Sequence, residues 1–456
     1  MLNSAWGYTW EWTAEHPTRE DIWPLKFKYD ELGANAYNRA LEIFREQQAE
    51  FKSKELAADK GGTPNLPAPK PNVYQILKDN AATDPALGAL WKQVNTVPEW
   101  VDWEQLSRGQ DAFYRYGVAT MIGLAYQSLL GGFGAGRVVE TLARTGGFSP
   151  AVSKRRLYET GQWHLEVMKD IDSIKPGGEG WISTIRVRLL HSAVRSRIVK
   201  MTEARPEYYN TEAWGIPVND LDQGGTIGTF SAAPVWMALP RQGIYMRKQE
   251  IIDYIALWRY LAYLIGAPEK FFETPEIAKK FQETLLYYEI EPTETSKILA
   301  QNLVKGLQGE PPLYASADII IAGARWLNGD ELCDQLGLFR PSLYYRSVMT
   351  FQMVLYMAIA YTCRSIPWLD RKKIEFLKGV FWQAVVEHKD GLAGKKSDFH
   401  MKYTPRYDMK VELSQSYATR PGGRQSLLWF LIGLVSFTAA TYFFYHGAVS
   451  MLRVGA

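Results

Sequence analysis

The residues best suited to chemistry gather in one stretch, Ile182–Lys200, which reads ISTIRVRLLHSAVRSRIVK. Its single histidine, His191, shares a helix face with Val187, Val194 and Ile198, so its imidazole points to the apolar side. Arg186, Arg188, Arg195, Arg197 and Lys200 crowd the same stretch, and no acid lies within it. An imidazole on an apolar face offers an axial nitrogen to iron, and arginines beside it suit the propionates of a haem. The same pattern also describes a histidine that only fills a core. Upstream, Arg156-Leu157-Tyr158-Glu159-Thr160 sets Arg156 and Thr160 four residues apart, on one helix face, and Glu140 lies one short helix earlier. Such a polar face is either solvated or, if it fronts an iron site, able to hold water and exchange protons.

Other chemistries find little support. The remaining histidines, His16, His164, His388, His400 and His446, form no HxxxH or HExxH pair, which argues against zinc or di-iron sites. Gly131-Gly132-Phe133-Gly134-Ala135-Gly136 has no strand before it and no Lys-Ser after it, so it reads as a helix break with close backbone packing. Lys175–Gly180 reads as the turn that opens the His191 helix. No GxSxG signature points to a hydrolase.

These residues need helices to position them. Apolar periodicity predicts helices over Gln110–Leu130, Gly136–Thr145, Lys154–Met168, Trp181–Lys200, Gly228–Ala238, Lys248–Ile265, Pro275–Glu289, Ser296–Gly306, Ala315–Leu327, Leu343–Ser365 and Arg371–Lys389. Strand alternation is scarce, so the fold class is all-α. The chain has 456 residues, 46% of them hydrophobic, enough for a sizeable core. A net charge of +3 without a broad basic stripe argues against nucleic acid as a partner. Two cysteines, Cys333 and Cys363, exclude a disulfide scaffold. The organisation read from this is an aromatic-rich arm (1–56), a Pro/Gly linker (57–72), a helical domain (73–390), a polar connector (391–425), a transmembrane helix (426–445) and a short tail (446–456).

The span rests on Ser426–Tyr445, an uncharged run of 20 residues and so long enough to cross about 30 Å of hydrocarbon. Basic residues concentrate before it, which places the main domain on the cytosolic or matrix side of the endoplasmic reticulum or mitochondrial inner membrane.

Several ordered blocks resemble the catalytic domain shared by rubber oxygenases (latex-clearing proteins) and MpaB-type membrane-bound oxygenases. They are Val97–Gly117, Gly131–Ser149, Arg155–Trp163, Lys175–Arg195, Gly215–Ile244, Ala256–Pro268 and Ala324–Leu338. The resemblance implies a globin-like helical bundle around one haem b. It implies His191 as the proximal iron ligand, with Arg188 and Arg195 beside the cofactor. Arg156 and Thr160 match the family's distal motif, and Glu140 its acid/base glutamate. Glu159 stands where rubber enzymes carry a lysine, and Asp220 where a glutamine is expected. The implied reaction joins O2 to an apolar olefinic or lipid substrate, cleaving its C=C bond next to the bilayer. A second reading is a non-catalytic, oxygenase-like subunit of a large membrane complex, docked to other membrane-protein subunits through the N-terminal arm.

Overall fold

The structure, a computed structural model, describes residues 2–58, 72–146, 148–310 and 314–400. The predicted linker, most of the connector, the 426–445 span and the tail lie outside the described residues. Among those that are described, no helix is long and apolar enough to cross a membrane.

The body is built almost wholly of helices. The longer ones are α1 (Glu31–Ala58), α2 (Val73–Asn80), α3 (Pro85–Asn95), α4 (Trp103–Ile122), α5 (Gly136–Arg144), α6 (Pro150–Met168), α7 (Glu179–Ala204) and α8 (Asp220–Phe230). After them come α9 (Lys248–Ile265), α10 (Pro275–Tyr288), α11 (Glu294–Leu307), α12 (Ala317–Asn328), α13 (Leu343–Ser365) and α14 (Pro367–Trp382). Most predicted helical stretches recur with shifted ends, but Gly228–Ala238 is split at Ser231 between α8 and a short helical segment that follows it; α2 and α3 lie outside the predicted stretches. Side-chain caps set several starts: Asp84 accepts from the Ala86 and Leu87 amides, Asp102 from Glu104 and Gln105, and Asn219 from Asp222.

Helix α9 runs through the centre. Tyr254, Leu257, Trp258, Tyr260, Leu261, Ala262 and Leu264 are all buried, so it is covered on more than one face. It crosses α4 at Gly109, where a Cβ would meet the Asp253 carbonyl oxygen at 2.5 Å. Only a residue without a side chain lets the two backbones approach so closely. Arg108 then ties the crossing down with a two-pronged bond to Asp253 (2.8 and 3.2 Å). The 131–136 glycines also serve close packing: a Cβ at Gly131 would meet Asn328 and one at Gly136 the Glu291 carbonyl.

The first residues of the aromatic-rich arm form a hairpin. Strands β1 (Leu2–Ala5) and β2 (Tyr8–Glu11) pair antiparallel across Trp6 and Gly7, both at positive φ (54° and 74°). That backbone suits a tight two-residue hairpin turn. The hairpin lies on the body: the Tyr8 hydroxyl donates to the Leu327 carbonyl (2.8 Å), Arg241 donates to the Trp6, Gly7 and Leu327 carbonyls, and Trp10 is buried against Tyr287. The start of the predicted connector also folds back. Leu392, Ser397 and Phe399 are buried, and the Ser397 amide donates to Gln162 of α6 (2.6 Å).

Candidate functional site

Helices α6 and α7 run antiparallel, and their register decides the site. The Trp163 indole donates to the Thr184 hydroxyl at 3.0 Å. Next to it Gly180 sits so close to α6 that a Cβ would lie 2.9 Å from the Val167 Cα. Carried along the two helices, that register brings Arg156 opposite His191, about 10 Å from the Trp163 contact at 1.5 Å per residue. Their charges are coupled accordingly: Arg156 disfavours a proton on the His191 ring.

The facing surfaces change along the pair. Trp163, Thr184 and Ile185 are buried, whereas Arg156, Val187, Leu190 and His191 are only partly covered and Thr160 is exposed. Yet His191 lies deep among protein atoms. His191 is thus set deep without being fully covered. Two surface hollows, one lined by Arg241, Trp326 and Arg346 and one by Trp10, Trp236 and Leu286, lie elsewhere.

Burial pushes the His191 imidazole down to about 4, helped by Arg195 and opposed by Gln223 and Asp30. The ring is therefore neutral at physiological pH and has a lone pair to give. Its Nδ1 is buried without a hydrogen-bond partner, as are both amide atoms of Gln223 and the Nη1 of Arg195. Buried polar atoms seldom stay unpaired, and four around one ring mark a place that accepts a polar group. This donor set fits a haem: a neutral imidazole with a lone pair to give and an arginine with a spare N–H.

His164 is the other deeply buried histidine. It is stacked between Phe230 (5.5 Å) and Trp258 (5.6 Å), with Phe113 edge-on at 4.6 Å. Burial pushes it down to about 3. Stacked on both faces, it packs as a core ring, with both nitrogens buried and without a hydrogen-bond partner.

The remaining predicted residues separate. Arg195 donates to the Pro217 and Val218 carbonyls (3.2 and 2.7 Å), lies over the Tyr29 ring and keeps its Nη1 unpartnered. Arg188 is a correction: it binds Asp30 through two bonds of 2.7 Å, Gln93 at 2.6 Å and the Leu264 carbonyl at 3.1 Å. With those donors committed it ties α7 to α1, α3 and α9 and is not available to a propionate. Glu159 is 4% exposed and pairs with Arg155 (3.3 Å) and Arg156 (3.4 Å). Glu140 pairs with Arg144 (2.7 Å), whose guanidinium stacks over Tyr208, Tyr209 and Trp214. Tyr209 shares a bond with Thr141 (3.1 Å) and packs with Leu190 and Val194 on either side of His191. Glu140 thus belongs to a cluster that abuts the His191 helix through Tyr209.

Sequence reasoning missed Gln223 and Asp30. Gln223 lies in the quoted Gly215–Ile244 block, but nothing in its local pattern ties it to His191; Asp30 is 158 positions from Arg188.

A mostly helical body that holds a neutral, deep-set histidine opposite an arginine is a layout that suits a cofactor site. The chain belongs to the family of ER-bound oxygenase mpaB/B′ and rubber oxygenase catalytic domains, whose model matches residues 114–355, a span that holds Glu140, Arg156, Glu159, Thr160 and His191. It is similar to the rubber oxygenase of Streptomyces sp. (strain K30), with 23% identity over 301 residues, covering 61% of this chain and 69% of that protein. Its fold resembles that of latex clearing protein LCP in the closed state, with a TM-score of 0.56 and 18% identity over 81% of this chain and 95% of that one.

Proposed function

We propose that this chain is a haem-b-dependent oxygenase that cleaves C=C bonds of an isoprenoid or other lipid-like substrate with O2. The observation that carries this reading is His191, neutral and set opposite Arg156, in a chain of an oxygenase family. The overall conversion is balanced without an external reductant: one O2 turns one C=C into two C=O groups. A haem on His191 would supply dioxygen activation. The protein's own residues do the rest. His191 gives its lone pair, and Arg195 offers its unpartnered Nη1 to a propionate. Arg156 brings positive charge to the face opposite His191, with Glu159 pairing it. The aromatic wall of Trp163, Phe230 and Trp258 keeps water from that end of the core. Glu140, oriented by Arg144, takes the proton from the allylic carbon and returns it to the same carbon as the C=C is cleaved, so that no proton is lost overall. The 426–445 span holds the body at the bilayer, where such a substrate partitions.

Glu159 favours a second reading. A buried carboxylate that engages Arg156 fills the position of the rubber enzymes' lysine, as in an oxygenase-like subunit without turnover.

The absorption spectrum tests the cofactor: the purified protein shows a Soret band that His191→Ala loses, and a wild type without bound haem sinks the oxygenase reading. Oxygen uptake with an unsaturated isoprenoid, lost in Glu140→Ala while the Soret band stays, separates the enzyme from the subunit.

A further inference from the structure

Gln223 is buried (4% exposed), and neither its carbonyl oxygen nor its amide nitrogen has a partner. Its backbone is firmly held. Asn219 caps α8, the Gln223 amide donates to the Asn219 carbonyl (3.0 Å), and the adjacent Asp222 is bound to Arg137 at 2.6 Å. On the far side, Gly224 rests on Phe281 of α10, so α8 cannot swing away. Arg195, one turn beyond His191 on α7, donates to the Pro217 and Val218 carbonyls just before α8, which brings the first turns of α8 alongside the His191 turn, and Gln223 acts on the proton of that ring. The ring's Nδ1 is likewise buried and unpartnered. Two adjacent orphans of opposite kind, an N–H and a carbonyl, satisfy each other after a rotation of the amide.

A ligating imidazole uses one nitrogen for the metal and leaves the other as an N–H donor, and the acceptor it finds sets ring rotation and donor strength. We propose that Gln223 is the positioning residue for His191: its side-chain carbonyl accepts the imidazole N–H, which fixes the ring and tunes the electron density it gives to iron. The proposal rests on the haem reading above. Gln223 does not touch substrate and acts only through His191.

The test uses the full chain with haem bound, in Gln223→Glu and Gln223→Leu variants. Resonance Raman of the ferrous form reads the iron–histidine stretch, and a redox titration reads the Fe(III)/Fe(II) midpoint. A carboxylate acceptor gives the ring imidazolate character, so Gln223→Glu raises the stretching frequency and lowers the midpoint. Gln223→Leu removes the acceptor and shifts both the other way. Wild-type frequency and midpoint in both variants, with the Soret band intact, overturn the proposal and assign the N–H to a backbone carbonyl. Gln223→Asn, one methylene shorter, serves if Gln223→Leu fails to fold; it weakens the bond and shifts the frequency in the Leu direction. A wild type that binds no haem fails at the earlier reading, so the two failures are distinguishable.

Discussion

At the scale of residues, two histidines show how surroundings divide one side chain into two roles. His164 is buried and His191 partly covered, and both are pushed well below the ordinary value of 6.5. His164 is stacked between aromatic faces, whereas His191 faces Gln223, Arg195 and Arg156. His164→Phe is expected to keep the fold and the Soret band. It also removes an acid liability. Because the folded-state value of His164 is about 3, the unfolded chain takes up this proton first as pH falls. Stability is full above about 6.5 and is lost as pH drops toward 3, by about 1.4 kcal/mol per pH unit for one such group. Urea midpoints at pH 7 and pH 5 should therefore lie closer together in His164→Phe than in the wild type; equal separation defeats the assignment. Arg188 makes a different prediction. Its removal leaves Asp30 buried without its partner, a loss of about 3–5 kcal/mol in Arg188→Ala. Asp30→Asn combined with Arg188→Gln recovers part of it. If Arg188 held a propionate instead, haem would be lost before stability.

At the scale of elements, the site depends on how closely helices approach. Gly109 and Gly180 are placed where a side chain would strike the neighbouring backbone, at 2.5 Å from the Asp253 oxygen and 2.8 Å from the Glu166 oxygen. Gly109→Ala and Gly180→Ala should each cost about 1–3 kcal/mol in chemical denaturation. Gly180→Ala should also weaken haem retention, because it pushes α7 away from α6 and spoils the facing of Arg156 and His191. A destabilised Gly180→Ala protein with full haem affinity would show that the facing of Arg156 and His191 does not depend on this contact. Most of these helices were legible from apolar spacing, since α7, α9 and α13 each bury a periodic face. The hairpin was not, because two strands of four residues carry too little alternation and the positive φ of Trp6 is unusual for a non-glycine residue.

At the scale of the whole molecule, the described body folds its N-terminal hairpin and its 391–400 segment onto itself. The membrane attachment proposed above rests on the uncharged 426–445 run, outside the described residues. Deletion of residues 401–456 should move the protein from the membrane pellet to the supernatant on alkaline carbonate extraction; pelleting of the truncated protein would place the attachment in the helical body. The sequence by itself determined the helical class, the helix order and the basic histidine segment, because these depend on spacing along one chain. Ordered blocks of residues also sufficed to place the chain beside its family. Only the tertiary structure decided that Arg188 is bound to Asp30, that His164 is closed off and that Gln223 faces His191. Those outcomes depend on partners brought together from distant positions, and burial and pairing are properties of the packed interior that local spacing does not encode.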